Sequence, residues 1–302
     1  MPVEVEETFA RFVTAELTTI DRHGLPITWP VVPFYERGSL AVTTALGMPA
    51  KAEQARRHPR VALLFSDATG AGMERPSMVL VQGTAVVDDQ DLDANRQRYR
   101  ADTAAKPTGP PAAPPGSRHD WYFTRIYIYV RPERVYVWRD GDCGVRPEVY
   151  GEAPDEPATA APLHGGQPSP NRRIAEIGSR YESAVLSLVG PDGFPFAVRV
   201  PMTADRRGRS IAIDVEPGGI ELRPGPVCVT AHDHDETLRW TRNFQVRGDL
   251  VPEPPHGWRV VPHRTVGGFE LPPGGAFVRA VANIPKIRRY RKTARRERRL
   301  RA

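Results

Sequence analysis

The stretch Thr43 to Val61, TTALGMPAKAEQARRHPRV, sets one lysine in a short helix-like run between two strand-like runs. Pro49 stands near the first turn of that run and Pro59 just past its end, which is where helix boundaries prefer proline. Lys51 therefore falls in a first turn, where an ammonium and the free backbone amides together favour an anion such as a phosphate dianion. Taken alone, Lys51 with Arg56, Arg57 and Arg60 reads rather as the solvated face of a surface helix. The surrounding pattern has to decide between the two.

Other chemistry is sparse. The run HDHDE, His232 to Glu236, puts two histidines at alternate positions, on one face of a strand. Two ligands do not make a metal centre, which usually needs three or four, so a polar turn is the better reading and no metal is expected. Cys143 and Cys228 are the only cysteines and show no CxxC or Cys/His spacing. No Ser/His/Asp order, nucleophile elbow or Walker loop is visible, so nucleophilic catalysis has no support and no general acid or base can be named.

The elements that must position Lys51 are mostly strands. AELTTID, PITWPVVPFY and SLAVTT are β-branched or aromatic runs parted by the turn clusters RHG and ERG. After the Lys51 helix come RVALLFSD and SMVLVQGTAVVD, then a weakly amphipathic helix over 91–105 that ends at Lys106. PTGPPAAPPGS cannot continue it and reads as an extended loop. WYFTRIYIYVRPERVYVW supplies two further strands with a turn near Pro132 and Glu133. The spacing favours antiparallel barrels over a parallel βαβ sheet.

The most informative feature is an internal repeat. LTTIDRHGLPI at Leu17 aligns with LSLVGPDGFPF at Leu186, and three matches follow in the same order: SLAV with SIAI, RVALLFSD with PVCVTAHD, VQGTAV with VRGDLV. The chain is two diverged copies of one barrel unit. Its 302 residues divide into a cofactor-binding barrel over 1–139, a Pro/Gly/Ala-rich linker over 140–171, a degenerate barrel over 172–277 and a basic helix over 278–302. Where the first copy carries its helix and lysine, the second reads DVEPGGIELRPGP; Asp214 and Glu216 there would repel a phosphate.

The net charge of +6 belongs to the tail: from Lys286 onward there are ten Lys or Arg and one Glu, leaving the rest of the chain at −3. Ile287, Tyr290 and Ala294 share a helical stripe that could dock on a barrel while the arginines stay in water. The rival reading is contact with a nucleic acid or a partner. The acidic N-terminus lacks a signal-type apolar region and no run approaches a membrane span, so a cytoplasmic protein is expected.

Laid out from about Phe9 to Asp88, and more weakly from Val185 to Pro252, these elements resemble the FMN-binding split barrels related to pyridoxamine 5'-phosphate oxidase. The resemblance rests on the Gly-x-Pro turn, a strand ending in Thr, the lysine opening a short helix and the Pro-Arg-Val strand. It implies two tandem Greek-key split barrels, mainly β, with a flavin at the contact between two barrels. The K…RRHPRV form is also similar to members that use a deazaflavin coenzyme, and other members bind haem. By the same resemblance Thr43 and Thr44 would set hydroxyls beside the cofactor phosphate with Lys51, and Arg60 could join them. The strand Trp29, Pro30, Val31 and Val32 would pass beside the flavin ring, and Gln82 matches a polar position that reaches the cofactor; ordinary strand packing explains each of these as well. The implied activity is an FMN-dependent oxidoreductase acting on a small molecule, or a deazaflavin-dependent reductase. A noncatalytic flavin- or haem-binding module with a contacting tail is the rival class. A homodimer and an internal pairing of the two barrels are both open.

Overall fold

The computed structural model describes residues 2–106, 120–152, 162–163, 171–255, 257–271 and 276–301, with side chains at all of these except 120, 271 and 276–286. The proline-rich loop after Lys106 and half of the linker fall outside this set. The first half runs α1 (Val3–Arg11), β1 (Ala15–Ile20), β2 (Pro26–Val31), β3 (Pro33–Glu36), β4 (Ser39–Ala45), α2 (Ala50–Arg57), β5 (Arg60–Phe65), β6 (Met78–Asp88), α3 (Leu92–Ala105), α4 (Asp120–Phe123), β7 (Arg125–Trp138) and β8 (Glu148–Gly151). The second runs β9 (Ser183–Val189), β10 (Pro195–Ala204), β11 (Ile211–Ile213), β12 (Gly225–His234), β13 (Thr241–Glu253), β14 (Gly257–Leu271) and α5 (Ala276–Arg301).

Both halves pair their strands antiparallel and in one order. The first sheet runs β2-β1-β5-β6-β7-β4-β3, with β8 added on β7; the second closes as β10-β9-β12-β13-β14-β11 and back to β10. Substituting each strand by its repeat partner turns one order into the other, so the copies seen in the sequence are copies in topology. Apart from the added β8, their strand orders differ at a single corner. β10 is continuous over ten residues, whereas its counterpart is cut at Val32 into β2 and β3. Pro33, which brings no amide donor, opens the second piece. The first barrel is therefore closed there by the chain itself and not by a ladder.

The barrels share a wall. β5 is buried at every position after Arg60 because both of its faces are covered: Val61, Leu63 and Phe65 lie in the first barrel's core, while Ala62 and Leu64 join Phe196, Val229 and Phe244 in the core of the second. Leu80, Tyr136 and Trp138 make the same crossing. At the centre of the wall Thr28 donates to Ser187 (2.7 Å), a hydrogen bond between the two β-systems. The run WYFTRIYIYVRPERVYVW begins in α4, and from Arg125 to Trp138 it forms one long bent strand instead of two. Pro132 sits opposite Gly83 at a register shift, where the missing amide costs nothing and a Cβ on Gly83 would come within 2.2 Å of the Arg131 carbonyl.

Among the described residues the α-helices cover the first barrel, while a single 3-10 turn, Ile174–Glu176, lies against the second. The 91–105 helix is present as α3, capped by Asp91 accepting from the amides of Asp93 and Ala94. α5 returns from the far end of the chain to lie on the same barrel. Tyr290 stacks on Trp121 at 5.2 Å, Ala294 enters the first barrel's core, and Arg301 pairs with Asp89 and Glu53. Arg288, Lys292, Arg295 and Arg299 remain exposed on its outer side. Among the described residues no helix is long and apolar enough to cross a membrane.

Candidate functional site

Lys51 stands in the first turn of α2, a helix delivered by the end of β4. That turn is tied down by Thr44, whose hydroxyl donates to the Met48 carbonyl at 2.6 Å. Thr44 is thereby committed to shaping the loop. Thr43 lies on the other face of β4, opposite Tyr127 and half-buried. The Lys51 ammonium lies 5.1 Å from the centre of the Trp29 ring on β2, so two of the residues singled out by sequence meet in space.

The electrostatics are those of an anion site. No carboxylate pairs with Lys51 among the described residues, and burial, helped by the nearby Arg125 guanidinium, lowers its pKa to about 8. Arg125, at the start of β7, is itself buried between the rings of Tyr99 and Tyr122 at 4.1 and 4.2 Å, and donates to the Tyr99 hydroxyl. Burial raises the Tyr99 pKa well above its ordinary value, so the phenol stays neutral and does not cancel the guanidinium. Two cations held without a counter-carboxylate leave local positive charge that only a bound anion or solvent can balance.

The opposite wall comes from the second barrel. A Cβ added to Gly267 on β14 would lie 3.2 Å from the Trp29 ring and 2.5 Å from Oε1 of Gln245 on β13. Gly267 has φ +77°, so the absent side chain and the left-handed backbone belong together. Trp29 Nε1 and Gln245 Oε1 are both buried without a hydrogen-bond partner. A buried donor and acceptor left unmade cost about 1 to 3 kcal/mol each, which a ligand with amide-like edges would recover. The seam thus offers a positive end at Lys51 and Arg125, a flat indole, and orphaned polar groups, a combination that fits a phosphate-bearing planar cofactor.

The remaining predicted residues go elsewhere. Val31 is buried in the first barrel's core, with Pro30 and Val32 half-buried on either side of it. Gln82 and Arg60 meet the second copy's Gly-x-Pro turn: Gln82 donates to the Pro195 carbonyl (2.8 Å) and accepts from Arg134, and Arg60 donates to the Asp192 carbonyl (3.1 Å) over the Phe194 ring. Arg134 also pairs with Asp192. This second groove, a cavity of about 440 Å³ lined by Gln82, Arg134, Tyr136 and Glu221 among others, is the counterpart of the Lys51 seam across the barrel contact. No helix stands between β11 and β12 to complete it, as the lost lysine segment implied. Sequence reasoning missed Arg125, Gln245 and Gly267. Their signals were an arginine opening an aromatic strand, a glutamine inside an apolar alternation, and the pair Gly267-Gly268 within a strand.

No family model and no curated protein matches the chain. Solved structures do resemble it. General stress protein 26 from Bacillus anthracis is 18% identical, covering 50% of this chain and 100% of its own, with a TM-score of 0.33. A protein from Clostridium acetobutylicum related to general stress protein 26, of the pyridoxinephosphate oxidase family, is 12% identical over 49% of this chain and 92% of its own, at 0.35. A protein described as an F420 reductase is 20% identical over 45% of this chain and 98% of its own, at 0.36. Each thus spans about half of the chain. The chain's own strand order gives two antiparallel β-barrel units in tandem, and each of these solved structures is similar to about half of it.

Proposed function

We propose that the protein is an oxidoreductase that holds one flavin-class cofactor, FMN, in the seam between β2 and α2 of the first barrel and β13 and β14 of the second. The observation that carries this reading is Lys51: an ammonium with no carboxylate partner among the described residues, held 5.1 Å from an indole whose Nε1 is also unpartnered. Lys51 and the first amides of α2 would bind the phosphate, with Thr43 beside them and Arg125 adding positive charge from behind. Trp29 and the backbone of β2 would lie along the ring system, and Gln245 would meet its polar edge from the facing barrel. When bound, the cofactor supplies hydride transfer; the chain supplies position, charge and exclusion of water.

A deazaflavin coenzyme is the second reading, favoured by the segment Lys51 to Val61, KAEQARRHPRV. It also carries a phosphate and would use the same lysine. A visible absorption spectrum of the purified chain, followed by titration with FMN and with a deazaflavin, separates the two. A flavin spectrum, or saturable binding of one of the two at one equivalent per chain, is the expected result. A chain that binds neither, or that shows a haem Soret band, overturns the assignment.

A further inference from the structure

The two histidines of HDHDE acquire a third companion from the other barrel. His232 and His234 project from one face of β12 with rings parallel and 6.3 Å apart, and both face Asp67, which follows β5. Asp67 Oδ2 lies 3.6 Å from Nδ1 of His232 and 3.5 Å from Nε2 of His234. One ligand atom from each of the three residues lies within 4.8 Å of the other two. For metal bonds of roughly 2.0 to 2.1 Å at a tetrahedral angle, neighbouring ligand atoms sit about 3.3 Å apart, so modest closure brings the set to bonding distance.

In each histidine the nitrogen nearer Asp67, at 3.6 Å in His232 and 3.5 Å in His234, is the one not engaged in donating a hydrogen bond. His234 Nδ1 donates to the Asp235 carbonyl at 2.8 Å, which leaves Nε2 as the basic nitrogen; it receives only the Thr14 hydroxyl, at 2.9 Å. His232 Nε2 lies 2.6 Å from Glu16 Oε1 and donates to it, which leaves Nδ1 basic. Nε2 is also 2.6 Å from Arg199 Nη2. Were Nε2 to accept from that guanidinium, the proton on Nδ1 would face Asp67 at 3.6 Å, too far for a hydrogen bond. The His232 side chain is 1% exposed, and its buried Nδ1, which faces Asp67, has no hydrogen-bond partner. A carboxylate or carbonyl holding the far nitrogen of each imidazole is the arrangement that orients metal-ligating histidines.

The charges agree. Arg199 is spent on Glu16 (2.9 Å) and on Ser66 (2.9 Å), so guanidinium and Glu16 carboxylate cancel. That leaves the Asp67 carboxylate as the acidic group facing the two imidazoles. Ser66 and Arg199 also line a cavity of about 290 Å³ that reaches Pro76 and Asp142.

We infer that Asp67, His232 and His234 form a binding site for a divalent first-row transition metal, zinc being the ion suited to two imidazoles and one carboxylate, with the fourth position left to water. The ion would join β12 of one barrel to the end of β5 of the other. It is independent of the cofactor seam.

The test is a titration of the full chain, freed of metal with a chelator, with Co²⁺ as a spectroscopic stand-in for Zn²⁺. One equivalent should bind with a visible d–d band of tetrahedral type and be displaced by Zn²⁺. Asp67→Asn and His234→Ala should each weaken binding at least about 100-fold, beyond the 10- to 100-fold typical of losing an outer partner. The wild-type titration needs no folded variant: absence of saturable binding at one equivalent overturns the site. So does undiminished affinity in both variants when their far-UV circular dichroism matches that of the parent.

Discussion

At the scale of single residues, the seam is governed by one depressed lysine. Lys51 is held near a pKa of about 8 by burial, so its ammonium is present below that pH and is lost above it. A phosphomonoester becomes a dianion above pH of about 6. Affinity for a phosphate-bearing cofactor should therefore peak between these limits and fall on the alkaline side. Replacing Lys51 by Ala should weaken it by about 1.5 to 3 kcal/mol, the worth of a charge-assisted hydrogen bond. Lys51→Arg should push the alkaline limb upward, since a guanidinium does not deprotonate in this range. Fluorescence or calorimetric titrations from pH 5 to 10 would read all three, and a limb that stays in place in the Arg variant would exclude Lys51 as the contact. Arg199 is the second decisive residue. It faces the fully buried Glu16, whose Oε2 has no partner, and whose pKa is lowered against burial by His232 and Arg199. Arg199→Met should cost about 3 kcal/mol in urea unfolding, the low end for breaking a buried pair, because His232 and Ser66 still touch the carboxylate.

At the scale of elements, α5 is a helix whose basic composition hides a docking stripe. Ala294 is buried among apolar residues of the first barrel, and Tyr290 presses its backbone carbonyl toward Gly47, where a Cβ would come within 2.9 Å. There is no room for growth at this interface. Ala294→Leu should destabilise by about 1 to 3 kcal/mol through overpacking. Arg295→Leu, one residue on and exposed, should stay within about 0.5 kcal/mol, and chemical denaturation of the two variants side by side is the check. Equal stability of both would mean that α5 does not dock in solution. The element level is also where sequence was most legible. Helix boundaries at Pro49 and Pro59, the Asp91 cap and the strand runs all depend on local rules, and α2 and α3 fall where those rules put them. The bent β7 did not, because whether Pro132 ends a strand or rides on a bulge depends on Gly83 in a distant partner strand.

At the scale of the whole molecule, the repeat was legible because apolar alternation must persist wherever a barrel persists, while the site was legible only in part. Lys51 and Trp29 belong to one copy, and their motif is nearly contiguous. Gln82 was not placeable, since its partner, the Pro195 carbonyl, is 113 positions away in the other copy. Asp67 and His232 meet for the same reason, across the shared wall. That wall yields a prediction. Residues 1–152 alone would expose Ala62, Leu64, Leu80, Tyr136 and Trp138, so the fragment should self-associate in sedimentation velocity, whereas the intact chain should unfold in one transition. A monomeric, natively packed fragment would show that the wall contributes little.

The return of α5 to the first barrel also sets an order of events during biosynthesis. Ala294 belongs to a core whose other members are all made by residue 137. At about 5 to 20 residues per second, the stretch from 152 to 294 takes roughly 7 to 30 s to emerge. Throughout that interval the nascent first barrel carries a gap over Gly47 and Trp121 that α5 fills. A ribosome stalled in the second barrel would thus present a half-finished domain to chaperones and proteases, and the docking of α5 is what seals it.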